Sequence, residues 1–395
     1  MGVSTRADTK LARPLPMMKT IPIVISMFIF MLESSPALAA NHPLSTLEVG
    51  HWFEVVGSDM ESVNPCPQIS CPPGNINSVM KAWSGGSYDS TNQRLIVWGG
   101  GHGDYAGNEL YAFSVKSNSW SRLTDPSTNT GGDPQTYLYP DGLPRSLHTH
   151  NYIEYVPGRN AFVSFGGVAP YPASGTTPRV MAYDFGLSQW VIDYFPEIPA
   201  GGTSRYANAV YDESTNSIWY QSGENAQLHR LNLNTEQWSS HGKKSGWFSS
   251  YTVAAIDPTR KLFVQVGSGD LVVWDLNKPN NAPVSPQTTG SKFIESAKAP
   301  GFVFDPTIEK FVGWAGGSDV YSLDPSNWTW AKISAASTNT IVPTEPALNG
   351  TFGRFQYLPA WNAYVLVNAT NEDVYYYRLG EFEIRSTPPP NFRLK

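Results

Sequence analysis

Residues 84–120 read SGGSYDSTNQRLIVWGGGHGDYAGNELYAFSVKSNSW, and one complete unit of the fold is written in them. A short strand ends at Asp89, a polar turn follows, and Leu95 to Trp98 form a continuous apolar strand that stops at three glycines. A third strand surrounds Ala112, and a fourth opens on Trp120. Short apolar runs separated by Asp, Asn and Gly turns are the pattern of antiparallel hairpins. The first half recurs at 151–167, 208–223, 253–269, 301–317 and 352–370, and the second half ends in Trp190, Trp238 and Trp330 as it does in Trp120. The spacings of 70, 48 and 92 residues between these tryptophans fit a repeat of about 46 with one degenerate copy.

Repeats of this length, each a four-stranded sheet, bury their faces by closing into a ring. The last copy, ending DVYYYRL, lacks a Trp-bearing fourth strand, and LEVGHWFEVVG around Trp52 supplies one. The prediction is an all-β propeller of six blades of four antiparallel strands, with the N-terminal strand closing the last blade. Seven blades is the alternative if residues 123–144 or 281–294 hide a further unit. The doublets Gly100-Gly101, Gly166-Gly167 and Gly316-Gly317, with a downstream Tyr and a later Trp, resemble kelch repeats of the galactose-oxidase-like propeller superfamily over roughly residues 45 to 380. Galactose oxidase itself is a poor guide, because its crosslink needs a cysteine in the site.

The chain has 395 residues, 41% hydrophobic and 15% charged, which suits a large packed core and not disorder. A net charge of -6 with no long basic run argues against nucleic acid as a partner. Lys19, the apolar run Ile21 to Leu32 and Ala37-Leu38-Ala39 have the order of a signal peptide. The expected organisation is a leader over 1–40, one propeller domain over 41–385 and a tail over 386–395. The mature protein is then secreted or periplasmic, without a membrane span and monomeric, and the leader looks bacterial. Cys66 and Cys71 are the two cysteines, and in an oxidising compartment they are expected to pair.

Candidate site residues lie where inner strands begin: Trp83, His148, His150, Arg205, Tyr206, Tyr251, Lys298 and Arg354. The loop after the second strand of the first blade adds His102, Asp104 and Asn108, and Glu224 follows the third blade's inner hairpin. Both sets belong to the same mouth of the ring. Each has a scaffold reading: Arg205 and Arg354 as braces between blades, Tyr206 and Tyr251 as packing. Two residues apart on a strand, His148 and His150 should face opposite sides.

Together, histidines, tyrosines, arginines and a lysine are the set that neutralises a carboxylate and moves protons beside it. An anionic oligo- or polysaccharide is the expected partner. The leading expectation is a polysaccharide lyase acting by β-elimination, with His102, His148, His150, Tyr206 and Tyr251 catalytic. Arg205, Arg354, Lys298, Asp104, Asn108, Glu224 and Trp83 would bind substrate. A sialic-acid anomerase using Arg205 and Glu224, and a non-catalytic carbohydrate- or protein-binding module, are the alternatives. No cofactor is expected, with zinc the exception if His102 and His148 or His150 converge.

Overall fold

The computed structural model describes residues 41–67, 71–199, 206–223, 226–246 and 251–381. The predicted leader, Arg205, Glu224 and the C-terminal tail lie outside these. From His42 on, the described residues form one compact unit.

Strand β1 (Trp52–Val55) joins the sixth blade. Blade one then comprises β2 (Gly86–Asp89), β3 (Arg94–Val97), β4 (Tyr111–Ser114) and β5 (Ser119–Arg122). Blade two runs from β6 (Ile153–Val156) through β7 (Ala161–Val168) and β8 (Thr176–Asp184) to β9 (Gln189–Phe195). Blade three starts at β10 (Asn208–Asp212) and ends with β13 (Gln237–Lys243). Blade four holds only β14 (Val253–Asp257), β15 (Leu262–Gly267) and β16 (Asp270–Asp275). In place of a fourth strand, Val284 makes a single bridge to Val273. Blade five, β18 (Gly301–Asp305) to β21 (Thr329–Ile333), gains β17 (Thr289–Gly290) in parallel at its outer edge. The last blade is β22 (Phe355–Leu358), β23 (Ala363–Leu366) and β24 (Val374–Tyr377), completed by β1, with Trp52 opposite Tyr377.

The blade count is therefore six. Neither segment proposed for a seventh blade forms one: 281–294 caps blades four and five, and 123–144 is a loop with one short helical turn at Pro134–Thr136.

Alternation along β3 shows why the strands read as unbroken apolar runs. Leu95 and Val97 pack toward blade six, while Ile96 and Trp98 pack toward blade two. Both faces of a blade are thus buried. Six such clusters lie between the six pairs of neighbouring blades, the one holding Val365, Tyr376 and Leu95 closing the ring. Outer-strand tryptophans fasten the blades to their surroundings: Trp120 donates to the Ser58 carbonyl at 2.8 Å and Trp52 to that of Ser318 at 2.8 Å. The repeated Asp at the end of an inner strand is a turn cap, since Asp89, Asp257 and Asp305 are buried and accept amide hydrogen bonds from the turn that follows.

Cys66 and Cys71 form a disulfide. Among the described residues no helix is long and apolar enough to cross a membrane.

Candidate functional site

The turns after the first strands, and after the third strands of blades one, two, three and five, are tight, whereas the long connections follow the second strands of blades one and two and run from blade to blade. Antiparallel order puts all the long connections at one end of the ring. Long loops on a rigid scaffold are where binding groups collect. At that end, Trp83, His102, His148, His150, Tyr206 and Tyr251 line one pocket of about 250 Å³, with Val168, Ala169, Ser174 and Gly175 completing its wall.

The two long loops of blades one and two shape it. His102 stands in the left-handed region at φ 45°, and its amide donates to the Ala169 carbonyl at 2.7 Å. Gly101 before it has φ 64°, and a Cβ there would lie 2.6 Å from the same carbonyl, so only glycine brings the loops this close. The His102 ring donates from Nδ1 to the Ala173 carbonyl at 3.1 Å, leaving Nε2 as the acceptor.

His148 Nε2 lies 3.1 Å from Asp104 Oδ2. A carboxylate accepts, so Nε2 carries the proton and the Nδ1 lone pair is left for a ligand. Burial lowers the His148 pKa below its ordinary value, opposed by the Asp104 hydrogen bond and charge and reinforced by His102. The ring is therefore neutral at neutral pH. Trp83 stacks obliquely on it with centroids 5.0 Å apart, and the His102 and His148 rings are 6.2 Å apart.

His148 and His150 do not face opposite sides. Both line the pocket, with centroids 6.4 Å apart. The alternation rule fails because strand β6 begins only at Ile153 and His150 sits at φ 42°, which turns its ring back toward His148. His150 is buried against Tyr206 and Phe352, at 5.4 and 5.5 Å, and its Nδ1 has no hydrogen-bond partner among the described residues. Burial holds its pKa well below the ordinary range. Lys298 is exposed, with its ammonium 5.2 Å from the Tyr251 ring centroid.

Two expected ligand contacts are scaffold. Arg354 is fully buried and donates to the carbonyls of Ser84, Val367, Asn368 and Gly350 at 2.6–3.1 Å. Its guanidinium is spent on joining blade six to blade one. Asn108 is likewise buried: its amide donates to Ser127 Oγ and the Pro144 carbonyl, and its oxygen accepts from the Ser127 amide, each at 2.9 Å. Arg205 and Glu224 lie outside the described residues. Among the described residues no three metal-ligating side chains are grouped.

The wall from Ala169 to Gly175 was not anticipated from the sequence. Its mark is the extra length of APYPASG between the second and third strands of blade two, where blade four has only Ser268 and Gly269. Along the ring axis a second cavity of about 420 Å³ is bounded by inner strands, with Glu154, Val210, Ala254, Ile256, Phe302 and Gln356 among its walls.

No family model matches the chain, and no curated protein matches it. Among solved structures it is similar to a structural genomics protein of unknown function from Bacteroides thetaiotaomicron VPI-5482, at 13% identity and a TM-score of 0.48, over 83% of this chain and 75% of that chain.

Proposed function

We propose that this propeller is an exported enzyme that binds an anionic glycan at the His148 pocket and cleaves it by β-elimination beside a uronate carboxylate. The observation that carries the reading is the Asp104–His148 pair: a neutral imidazole, its tautomer set by a carboxylate, opening on a pocket walled by Trp83, Tyr206 and Tyr251. Abstraction of a proton next to a carboxylate needs a base that is unprotonated at working pH and an acid for the leaving oxygen. His148 Nδ1 fits the first role, and the phenols of Tyr206 and Tyr251 fit the second.

In this reading the C5–H bond of the uronate breaks with its proton passing to His148. The electron pair forms the C4–C5 double bond as the C4–O bond breaks, and a tyrosine hydroxyl protonates the departing oxygen. Lys298, beside Tyr251, offers positive charge to the carboxylate as negative charge develops on it. The indole of Trp83 gives a sugar ring an apolar face to lie on.

Ulvan, gum arabic and pectic fragments are the substrates to offer, because elimination leaves an unsaturated uronate that absorbs in the ultraviolet. Absorbance that grows with protein and vanishes in His148→Ala supports the reading. No absorbance across the panel sinks it, and binding without product would make the protein a carbohydrate-binding module.

A further inference from the structure

Arg145 is completely buried, yet among the described residues no carboxylate pairs with it in a salt bridge. Its guanidinium is used on backbone instead. Nη1 donates to the carbonyls of Tyr171 at 2.9 Å and Thr130 at 3.3 Å, and Nη2 donates to that of Gly131 at 2.5 Å. The plane lies 4.6 Å from the centroid of the Tyr139 ring, whose hydroxyl donates to the Ala106 carbonyl in the His102 loop at 2.6 Å.

These partners set Arg145 apart from Arg354. The carbonyls held by Arg354 flank the first and sixth blades. Those held by Arg145 belong to two excursions from the sheets: the 123–144 loop and the pocket wall at 169–175. Tyr171 lies between Ala169 and Ala173, the two residues whose carbonyls fix the His102 amide and ring. One planar fork therefore ties the insertion to the wall, and the wall orients a pocket histidine. The far end of the wall is fastened by the Tyr137 hydroxyl, which donates to the Thr176 carbonyl at 2.6 Å.

We propose that Arg145 is a positioning residue: without touching ligand, it holds the 169–175 wall through the Tyr171 carbonyl and so fixes the His102 ring with Nδ1–H on Ala173 and Nε2 free. This rests on reading the pocket as the ligand site, but its test needs no ligand. Lysine is the informative replacement, since an ammonium keeps the charge and lacks the planar fork that spans both excursions.

The experiment is nitrogen-15 NMR of the histidine rings in the ligand-free protein and in Arg145→Lys, with thermal unfolding alongside. The expected result is a His102 ring in the Nδ1–H tautomer in the original protein. In the variant that signature is replaced by averaged tautomers, while His148 keeps its Nε2–H form and unfolding remains cooperative. A folded variant with an unchanged His102 signature overturns the proposal, as does an original protein with His102 in the Nε2–H form. If Arg145→Lys does not fold, Tyr137→Phe loosens the same wall by one hydroxyl: partial averaging at His102 supports the proposal and an unchanged ring overturns it. Failure of the uronan assay with the His102 response intact would remove the proposed reaction and leave this positioning role standing.

Discussion

His148 and Asp104 come from different blades, 44 residues apart in the chain, and meet through a 3.1 Å hydrogen bond at the mouth of the ring. Asp104 is partly open to solvent, with 38% of its side chain exposed, whereas the His148 side chain is 9% exposed. The pair thus works chiefly by choosing the tautomer of a buried imidazole. On an active uronan, His148→Ala should lower kcat by about 10²–10⁴, the usual worth of a positioned acid–base group. Asp104→Asn should lower kcat by roughly 10-fold or more, because the amide can offer an N–H to Nε2 and favour the wrong tautomer. Steady-state rates of ultraviolet product formation decide this. An Asp104→Asn enzyme with unaltered kcat would remove the dyad from the mechanism.

The same burial that keeps these rings neutral makes the fold sensitive to acid. His150 is held well below its ordinary pKa by burial, with His148 adding to the effect, and burial lowers His229 to about 4. In the unfolded chain each titrates near 6.5, so below that pH the unfolded state binds more protons and stability is lost as pH falls, by up to about 1.4 kcal/mol per unit for each such residue. His150→Asn removes one of these groups. Urea unfolding should show the stability of His150→Asn gaining on the original protein as pH drops from about 6.5 toward 4. A difference independent of pH would mean that His150 is already accommodated as a cation.

Arg354 gives a prediction of the opposite kind, concerning fold and not ligand. Burial lowers its pKa to about 9, which still leaves it charged at neutral pH. Four carbonyls satisfy it. Arg354→Met strips those carbonyls of their donors inside the joint between blades six and one, at a cost of roughly 3–5 kcal/mol. Denaturant midpoints should fall accordingly, while the fraction that remains folded keeps its affinity for any ligand of the His148 pocket. A stable variant that has lost ligand would return Arg354 to the binding site.

The ring was legible from sequence because its signals are repeated and local. Trp120, Trp190, Trp238 and Trp330 mark one register, and the terminal mismatch between DVYYYRL and the Trp52 segment foretold the closure seen in β1 and β24. The site was legible only as a list of strand starts. Which members meet depends on backbone that breaks the repeat: the left-handed His102 and His150, and the long wall that leans on Gly101. Arg354 misled because a guanidinium looks the same in sequence whether its donors face ligand or carbonyls. Arg145 went unnoticed for a related reason, since it lies in an irregular connection that no repeat predicts.

Glu154 yields the last test. It is the second residue of β6 and faces the axial cavity, where Ser87 Oγ is 3.4 Å from its carboxyl. Its side chain is half-buried, and burial raises its pKa to about 8 against the pull of the Tyr211 amide and Ser87. The unfolded carboxyl titrates near 4.3, so the native state holds the extra proton between about 4.3 and 8 and loses stability as pH rises through that window. Glutamine keeps the shape without the charge. Glu154→Gln should match the original protein near pH 4 and become more stable by about 1–3 kcal/mol near pH 8, the range allowing for solvent screening of a half-buried group. Urea unfolding at the two pH values measures the difference directly. A gain that is equal at both would show that Glu154 ionises in the axial cavity as freely as it does in the unfolded chain.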